Sequence, residues 1–373
     1  MYKHLFSEIK IEGVNLKNRL TMAPLYLGYA GEGGTISDML LEHYRLMASS
    51  GVAMVVVENA TVDHPVGSGS NRTIRVDTDD NLDGLKRLAS NIKKEGAVAC
   101  LQINHGGRFA HASPEPVAPS TVNTFGHMTK ALKAEEIDSI IDKYADAAVR
   151  AKSAGFDMVE LHGGTGYLLA QFLSPRTNKR SDKYGGTFDN RQRFALEVLS
   201  RVKEKVTPFP VGYRFLADEW LPDGLQLEES VRFASSLAQA GISYISVMGG
   251  TYESFSLPEI VEKSKQEGYM LNLAAEVRAN VSGIPIIAAG RLATGAFAEQ
   301  AITEGKTDLI GLARVLWADP QWPKKVYDGR DSDIIHCNPD CGDACMHMVM
   351  KGKPAFCVAW PAEKMKEWKA KFV

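Results

Sequence analysis

Residues 158–194 read MVELHGGTGYLLAQFLSPRTNKRSDKYGGTFDNRQRF. The run opens as a short strand, MVELH (158–162), breaks at a glycine-rich turn, and passes into a helix over 190–206. An apolar strand that stops at a histidine and a polar loop, with a helix behind it, is one β/α unit of a parallel sheet. Seven more strands of the same kind flank it. They are LTMAP (20–24), MVVVE (54–58), AVACLQIN (97–104), PVGYRF (210–215), YISVM (244–248), PIIAA (285–289) and DLIGL (308–312). Helices fall between them, among them 134–154 and 228–240. The first of these carries Ile137, Ile141, Tyr144, Ala148 and Ala151 at three- and four-residue steps, one apolar stripe. Eight such repeats predict the α/β class and a closed (β/α)8 TIM barrel.

The first residues, HLFSEIKIEGVNLKN, read as a hairpin closing the barrel floor. The one clear boundary lies near Asp331, so the chain divides into a barrel, 1–330, and a short cysteine-rich segment, 331–373. Lys plus Arg (43) and Asp plus Glu (45) nearly balance, leaving a net charge of −2. Such a chain lacks the basic excess that nucleic-acid binding needs. No apolar run reaches the ~20 residues of a membrane span, and the N-terminus lacks the apolar core of a secretory leader. The expected compartment is the reducing cytoplasm.

Barrel chemistry collects at the C-terminal ends of the strands. There the chain places Pro24–Tyr26, Glu58–Ala60, Gln102–His105, His162–Tyr167, Arg214, Gly249–Glu253, Gly290-Arg291 and Ala313-Arg314. The last two pairs end strands seven and eight, the usual phosphate loops of such barrels. A small residue before arginine lets backbone amides approach an anion, and a helix N-terminus follows each loop. As isolated features they would be two solvated surface turns; at equivalent positions in neighbouring units they point to a phosphate. His162, Thr165 and Tyr167 cluster on one glycine-rich turn, a set able to orient a carbonyl and deliver a proton.

The stretch H162-x-x-T165-x-Y167-L-x-x-Q-F-L-S-P-x-x-N-x-R-x-D-x-Y-G-G-x-x-x-N-R resembles the long motif of the Old Yellow Enzyme, or NADH:flavin oxidoreductase, family. NRLTMAP, LQINHGGR, GYR and the two arginine loops follow in the family's order, over about residues 5–330. The resemblance implies an FMN across the barrel mouth. Pro24, Tyr26 and Ala60 would flank its ring, Gln102 would bond the pyrimidine edge, and Arg214 would face the N1–C2=O side. Gly290, Arg291, Ala313 and Arg314 would hold its phosphate. His162 would clamp an oxygen of the substrate and Tyr167 would donate the proton. Thr165 stands where the family usually has Asn or His, so the clamp has one short hydroxyl in place of an amide or ring.

Four of the five cysteines, Cys337, Cys341, Cys345 and Cys357, fall in one short segment with spacing C-x3-C-x3-C-x11-C. In a reducing compartment this argues for ligation before disulfides. Four thiolates suit a structural zinc ion. They also suit a [4Fe–4S] cluster, usually held by three close ligands and one remote. The three-cysteine motif of radical enzymes does not fit, since it lies early in its barrel. Larger members of the family, resembling 2,4-dienoyl-CoA reductase and trimethylamine dehydrogenase, carry a cluster directly after the barrel with spacing C-x2-C-x3-C-x11-C. The resemblance therefore implies a [4Fe–4S] cluster, with one extra residue between Cys337 and Cys341. No G-x-G-x-x-G follows a strand, so electrons are expected from NAD(P)H at the mouth or from a separate electron-donor protein.

Three activities follow from these expectations. The first is reduction of an activated C=C bond of an α,β-unsaturated carbonyl, enoate or enoyl-CoA compound by hydride from the flavin, with the cluster relaying electrons. The second is oxidative N-demethylation, with Tyr26, Tyr29, Tyr167 and Tyr252 as an aromatic cage for the amine. The third is a flavin and cluster subunit that only relays electrons. A small-molecule substrate is expected, with assembly as a homo-oligomer left open.

Overall fold

A computed structural model describes residues 2–342 and 344–372. Eight strands close into one barrel: β1 (Leu20–Met22), β2 (Met54–Thr61), β3 (Val98–Asn104), β4 (Met158–Gly163), β5 (Val211–Leu216), β6 (Tyr244–Met248), β7 (Ile286–Ala288) and β8 (Leu309–Leu312). All eight pairings are parallel, and β8 closes on β1 through Ile310↔Leu20 and Leu312↔Met22. This is the (β/α)8 TIM barrel that the eight repeats predict.

The period of two along each strand sorts its side chains. Val159, Leu161, Tyr213 and Phe215 face the helices and join the main core. Met54, Val56, Cys100, Met158, Tyr244, Ile287 and Leu309 point inward and form an apolar floor. The antiparallel hairpin Ile9–Ile11 with Val14–Leu16 plugs that floor, because Ile11 and Leu16 are buried in the same cluster. Cys100 is therefore a packed floor residue with its Sγ 3.5 Å from the Tyr244 hydroxyl, remote from the C-terminal thiols in chain and layer.

Helix ends match their capping chemistry. Ser37 accepts from the Leu40 amide before Asp38–Ser49, and Thr187 from the Asn190 amide before Phe188–Val206. The expected helix at 190–206 thus starts two residues earlier, at its cap. The strand expected at 54–58 runs on to Thr61 through a register shift between Val57 and Ala60. Such a bulge re-aims side chains, and here it brings both Glu58 and Asn59 inside.

After Asp331 the chain crosses the barrel mouth side and docks on it. The Ala355 amide donates to the Leu27 carbonyl at 2.9 Å, and the Ala355 carbonyl accepts from the Tyr29 hydroxyl at 2.9 Å. The Ile335 amide donates to Asp319 at 2.9 Å, and Trp360 meets Trp317 edge-on at 5.4 Å. Ile334, Ala355 and Cys357 share the barrel's main core.

The hairpin plug has a measurable consequence. Leu16→Ala leaves a cavity in the buried floor cluster. It should lower the unfolding free energy by about 2–4 kcal/mol in denaturant titration, with the flavin-site residues unaltered.

Candidate active site

Above the apolar floor lies a polar layer. The register sets Gln102 beside Glu160, His162 beside Arg214, and Arg214 beside Ser246. Gln102 Nε2 donates to Glu160 Oε1 at 2.8 Å, and the Tyr244 hydroxyl donates to Glu160 Oε2 at 3.0 Å. Burial pushes the Glu160 carboxyl up, and the Arg214 charge pulls it back toward the ionised form. Arg214 is pulled down by burial and supported by Glu160. Its Nη1 donates to Ser246 Oγ at 2.7 Å, its one side-chain hydrogen-bond partner among the described residues. This leaves guanidinium N–H groups and the Gln102 carbonyl oxygen for a group at the mouth.

His162 is buried at the end of β4, and its Nδ1 accepts from the Gly164 amide at 3.2 Å. Burial, then the Arg214 charge, holds the ring well below its usual basicity. A neutral ring whose Nδ1 accepts carries its proton on Nε2, so His162 is a donor toward the mouth. Thr165 stands in the left-handed region at φ 57°. Its hydroxyl is directed at the Met248 sulfur, 3.5 Å away.

Tyr167 packs edge-on to His162 at 4.8 Å between ring centres. Its hydroxyl is 2.7 Å from that of Tyr252, from the loop after β6. Burial, then Tyr252, raises the Tyr167 phenol well above its usual range, so it holds its proton at neutral pH. Asn59 also bears on this hydroxyl, and its own Oδ1 is buried without a protein partner. Phe109 lies against Tyr252 at 5.1 Å and Tyr167 at 6.2 Å. Ion pairs tie these loops together: Arg108 with Glu253 at 2.9 Å, and Arg176 with Asp223 at 2.6 Å and Glu253 at 3.6 Å. Asn59 and Glu253 stand among the strand-end candidates and Arg108 in the LQINHGGR stretch, but the sequence assigned none of them a role. Their signal, polar residues at strand ends, was present but shared with many surface loops.

Pro24 and Tyr26 are half-buried at the end of β1, and Ala60 is buried on β2. Tyr26 hydrogen-bonds Ser70, and burial pushes its phenol up to about 12. Tyr29 does not join the cage expected of the four tyrosines. Its hydroxyl bonds the Ala355 carbonyl and its ring meets His43 edge-on at 5.5 Å, under the C-terminal segment. Glu58, also buried, lies between these groups. The Tyr44 hydroxyl donates to its Oε2 at 3.4 Å, and Oε1 has no protein partner. Burial pushes the Glu58 carboxyl up to about 8.

The seventh loop carries hydrogen bonds of its own. The helix behind it, Gly295–Thr303, was to offer its N-terminus to a phosphate. Instead Glu267 Oε1 accepts from the Ala293 amide, the Thr294 amide and the Thr294 hydroxyl at 2.8, 2.6 and 2.9 Å. The protein's own carboxylate already neutralises that helix end. Arg291 also turns away. Its Nε donates to the Ser264 carbonyl at 2.9 Å and its Nη1 to the Cys337 carbonyl at 3.0 Å. What remains beside the mouth is backbone: Gly290 at φ 105°, Arg291 at φ 55°, and Ala313 leading into the Arg314–Ala318 turn. A Cβ at Gly290 would lie 2.8 Å from Met270, so only glycine leaves that approach open.

Cys337, Cys341 and Cys345 are half-buried and Cys357 is buried, none of them in a disulfide. Burial raises the Cys357 thiol first, and the charges of Cys337 and Cys341 raise it further. Cys345 and Cys357 both act on Tyr29. Among the described residues, no group of three or more His, Cys, Asp or Glu side chains closes on a common centre.

The chain belongs to the NADH:flavin oxidoreductase / NADH oxidase family, whose model matches residues 4–333. It is 41% identical over 353 residues to an NADH oxidase of Thermoanaerobacter brockii, covering 91% of this chain and 54% of that one. The solved complex of 2-naphthoyl-CoA reductase with 2-naphthoyl-CoA superposes with a TM-score of 0.93 at 32% identity, over 99% of this chain and 58% of that chain. Histamine dehydrogenase from Rhizobium sp. 4-9 follows at 0.86 and 29%, over 98% and 53%. The chain spans about half the length of the curated relatives it matches first.

Glu58 makes a pH prediction with a definite sign. Its folded carboxyl holds a proton up to about pH 8, while the unfolded one ionises near 4.5. The stability it contributes is full below pH 4.5 and is lost as pH rises toward 8. Thermal or denaturant unfolding should weaken by roughly 3 kcal/mol between pH 4.5 and 7 from this group. Glu58→Gln should flatten that slope; an unchanged slope would show Glu58 to be ionised in the fold.

Proposed function

We propose that the protein is an ene-reductase of this family, reducing an activated C=C bond of an enone, enoate or enoyl-CoA substrate. One observation carries the reading: a neutral His162 with its N–H on Nε2 stands beside a buried, protonated Tyr167–Tyr252 pair. A substrate carbonyl needs a donor that stays neutral in the presence of Arg214, and an α-carbon needs an acid that has kept its proton. The site supplies both, whereas an electron relay needs neither.

The mouth residues fit FMN. Pro24, Tyr26 and Ala60 would flank its ring, Gln102 would accept from the pyrimidine N–H, and Arg214 would face the N1–C2=O side. Gly290 and Arg291 would hold the phosphate through their backbone, together with Ala313 and Arg314. When bound, FMN supplies the hydride for the β-carbon. His162 Nε2–H donates to the substrate oxygen and polarises it. Tyr167 then gives its proton to the α-carbon, and Tyr252, hydrogen-bonded to it, orients the hydroxyl and relays the replacement proton. Thr165 props the turn against Met248. NAD(P)H or an electron-donor protein would be the reductant, and cysteines outside any disulfide suit a reducing, cytoplasmic compartment.

The four thiols fit a [4Fe–4S] cluster in number and in standing outside any disulfide, so Cys337, Cys341, Cys345 and Cys357 would be its ligands. The cluster would supply single-electron exchange. A second reading, oxidation of an amine, rests on the aromatic walls of Tyr26, Tyr167, Tyr252 and Phe109 and on the likeness to histamine dehydrogenase.

Purified protein should release FMN on acid treatment, and Arg314→Ala should bind it about ten- to a hundredfold more weakly. Reduced anaerobically, the protein should be reoxidised by enoates, enones or enoyl-CoA esters. Tyr167→Phe should slow that step roughly 10²–10⁴-fold while leaving flavin reduction intact. Reduction by methylated amines in place of reoxidation by enoates would establish the amine reading.

Anaerobic preparations should hold about four iron and four sulfide per chain. Cys357→Ser should remove them and keep the FMN, and Cys100→Ala should change neither. Zinc without iron would make the segment a structural clip.

A further inference from the structure

Glu160 is a fully buried acid to which the ene-reductase reading gives no task. It stands on β4, level with Gln102 on β3 and with Gly212 on β5, and Gly212 is level with Tyr244 on β6. Both carboxyl oxygens are occupied. Oε1 accepts from Gln102 Nε2 at 2.8 Å, and Oε2 accepts from the Tyr244 hydroxyl at 3.0 Å. The second bond reaches across β5, and glycine permits it, because a Cβ on Gly212 would collide with the Tyr244 ring.

A glutamine amide has a donor end and an acceptor end of nearly the same shape, and nothing in the residue itself decides which end faces outward. Its neighbour decides. An ionised carboxylate only accepts, so Gln102 has to give Glu160 its NH2 end. The Gln102 carbonyl oxygen is then turned from Glu160, and its amide makes no other hydrogen bond among the described residues. A neutral amide in place of the carboxylate could donate as well as accept, and both orientations of Gln102 would be open. Burial opposes the ionised form of Glu160, and the Arg214 charge on the neighbouring strand favours it.

We propose that Glu160 is a positioning residue that fixes the polarity of Gln102, so that the barrel mouth offers the flavin pyrimidine edge an acceptor and no donor at its ring N–H; this rests on the FMN placement given above. Glu160 acts through Gln102 and touches neither cofactor nor substrate. The polarity matters because that edge reads acceptor, donor, acceptor. A misturned amide would set its NH2 against the N3–H, and two opposed donors make no bond.

The test uses the full-length holoprotein. It is equilibrated with an excess of FMN and 3-methyl-FMN in equal amounts; the analogue lacks the N–H. The retained flavin is then released with acid, and the two forms are separated and counted. The parent should retain FMN in preference. Glu160→Gln should cut that preference about five- to tenfold, and Gln102→Ala should do the same. Adding Glu160→Gln to Gln102→Ala should change the ratio no further, since Glu160 then has nothing left to act through. Exchanging the pair, Glu160→Gln with Gln102→Glu, keeps both groups in one layer and turns an acceptor outward again, so the parental ratio should return. Glu160→Met, which fills the same space with no polar atom, is the second variant where Glu160→Gln does not fold, and it should give the same fall. The proposal is overturned if the Glu160 variants hold less flavin at the parental ratio, which is the mark of a structural role alone, or if the exchanged pair retains flavin at the low ratio. A parent protein that takes up no flavin would overturn the FMN placement and this role with it; a parent that prefers FMN, with a ratio that the Glu160 variants do not move, would overturn this role alone.

Discussion

Everything at the mouth depends on holding a guanidinium inside the barrel. Arg214 is flanked by strands on both sides, so its charge is taken out of bulk water at a cost of several kcal/mol unless it is compensated. Glu160 compensates at a distance, one strand away, and is itself satisfied by Gln102 and Tyr244. No direct Arg214–Glu160 pair forms within 4.0 Å, so the cation is stabilised without being used up. Burial first, and then the same charge, keep His162 neutral, and the Gly164 amide on its Nδ1 leaves the ring proton on Nε2.

That polar layer needs a dry base. The hairpin residues Ile11 and Leu16, with Met54, Val56, Cys100 and Met158, exclude water from below. The loops above are pinned by Arg108, Glu253, Arg176 and Asp223, so the rings of Phe109, Tyr167 and Tyr252 keep their places. Rigid walls of this kind favour chemistry that depends on placing one donor and one acid on opposite ends of a short substrate.

The cysteine segment is more than an appendage. It shares the core through Ile334, Ala355 and Cys357, covers Tyr29, takes the Arg291 guanidinium on the Cys337 carbonyl, and lines a cleft beside Tyr26. Changes in that segment therefore reach the first and seventh barrel loops directly.

The sequence alone determined the barrel, because eight apolar strands with helices between them have one economical closure, and strand parity put Gln102, His162 and Arg214 on the inner face. It also marked the thiols, the histidine and Tyr167, whose residue types carry their own chemistry. Tertiary structure decided which of these groups are free to act. The Arg291 guanidinium donates to two carbonyls, one from a segment 46 residues later, which no local pattern announces. Glu267 capped a helix that motif reading had left open to an anion. Tyr29 turned under Ala355 while Tyr252 turned onto Tyr167. Each of these outcomes is a competition among distant hydrogen-bond partners, and local sequence carries no record of which partner arrives.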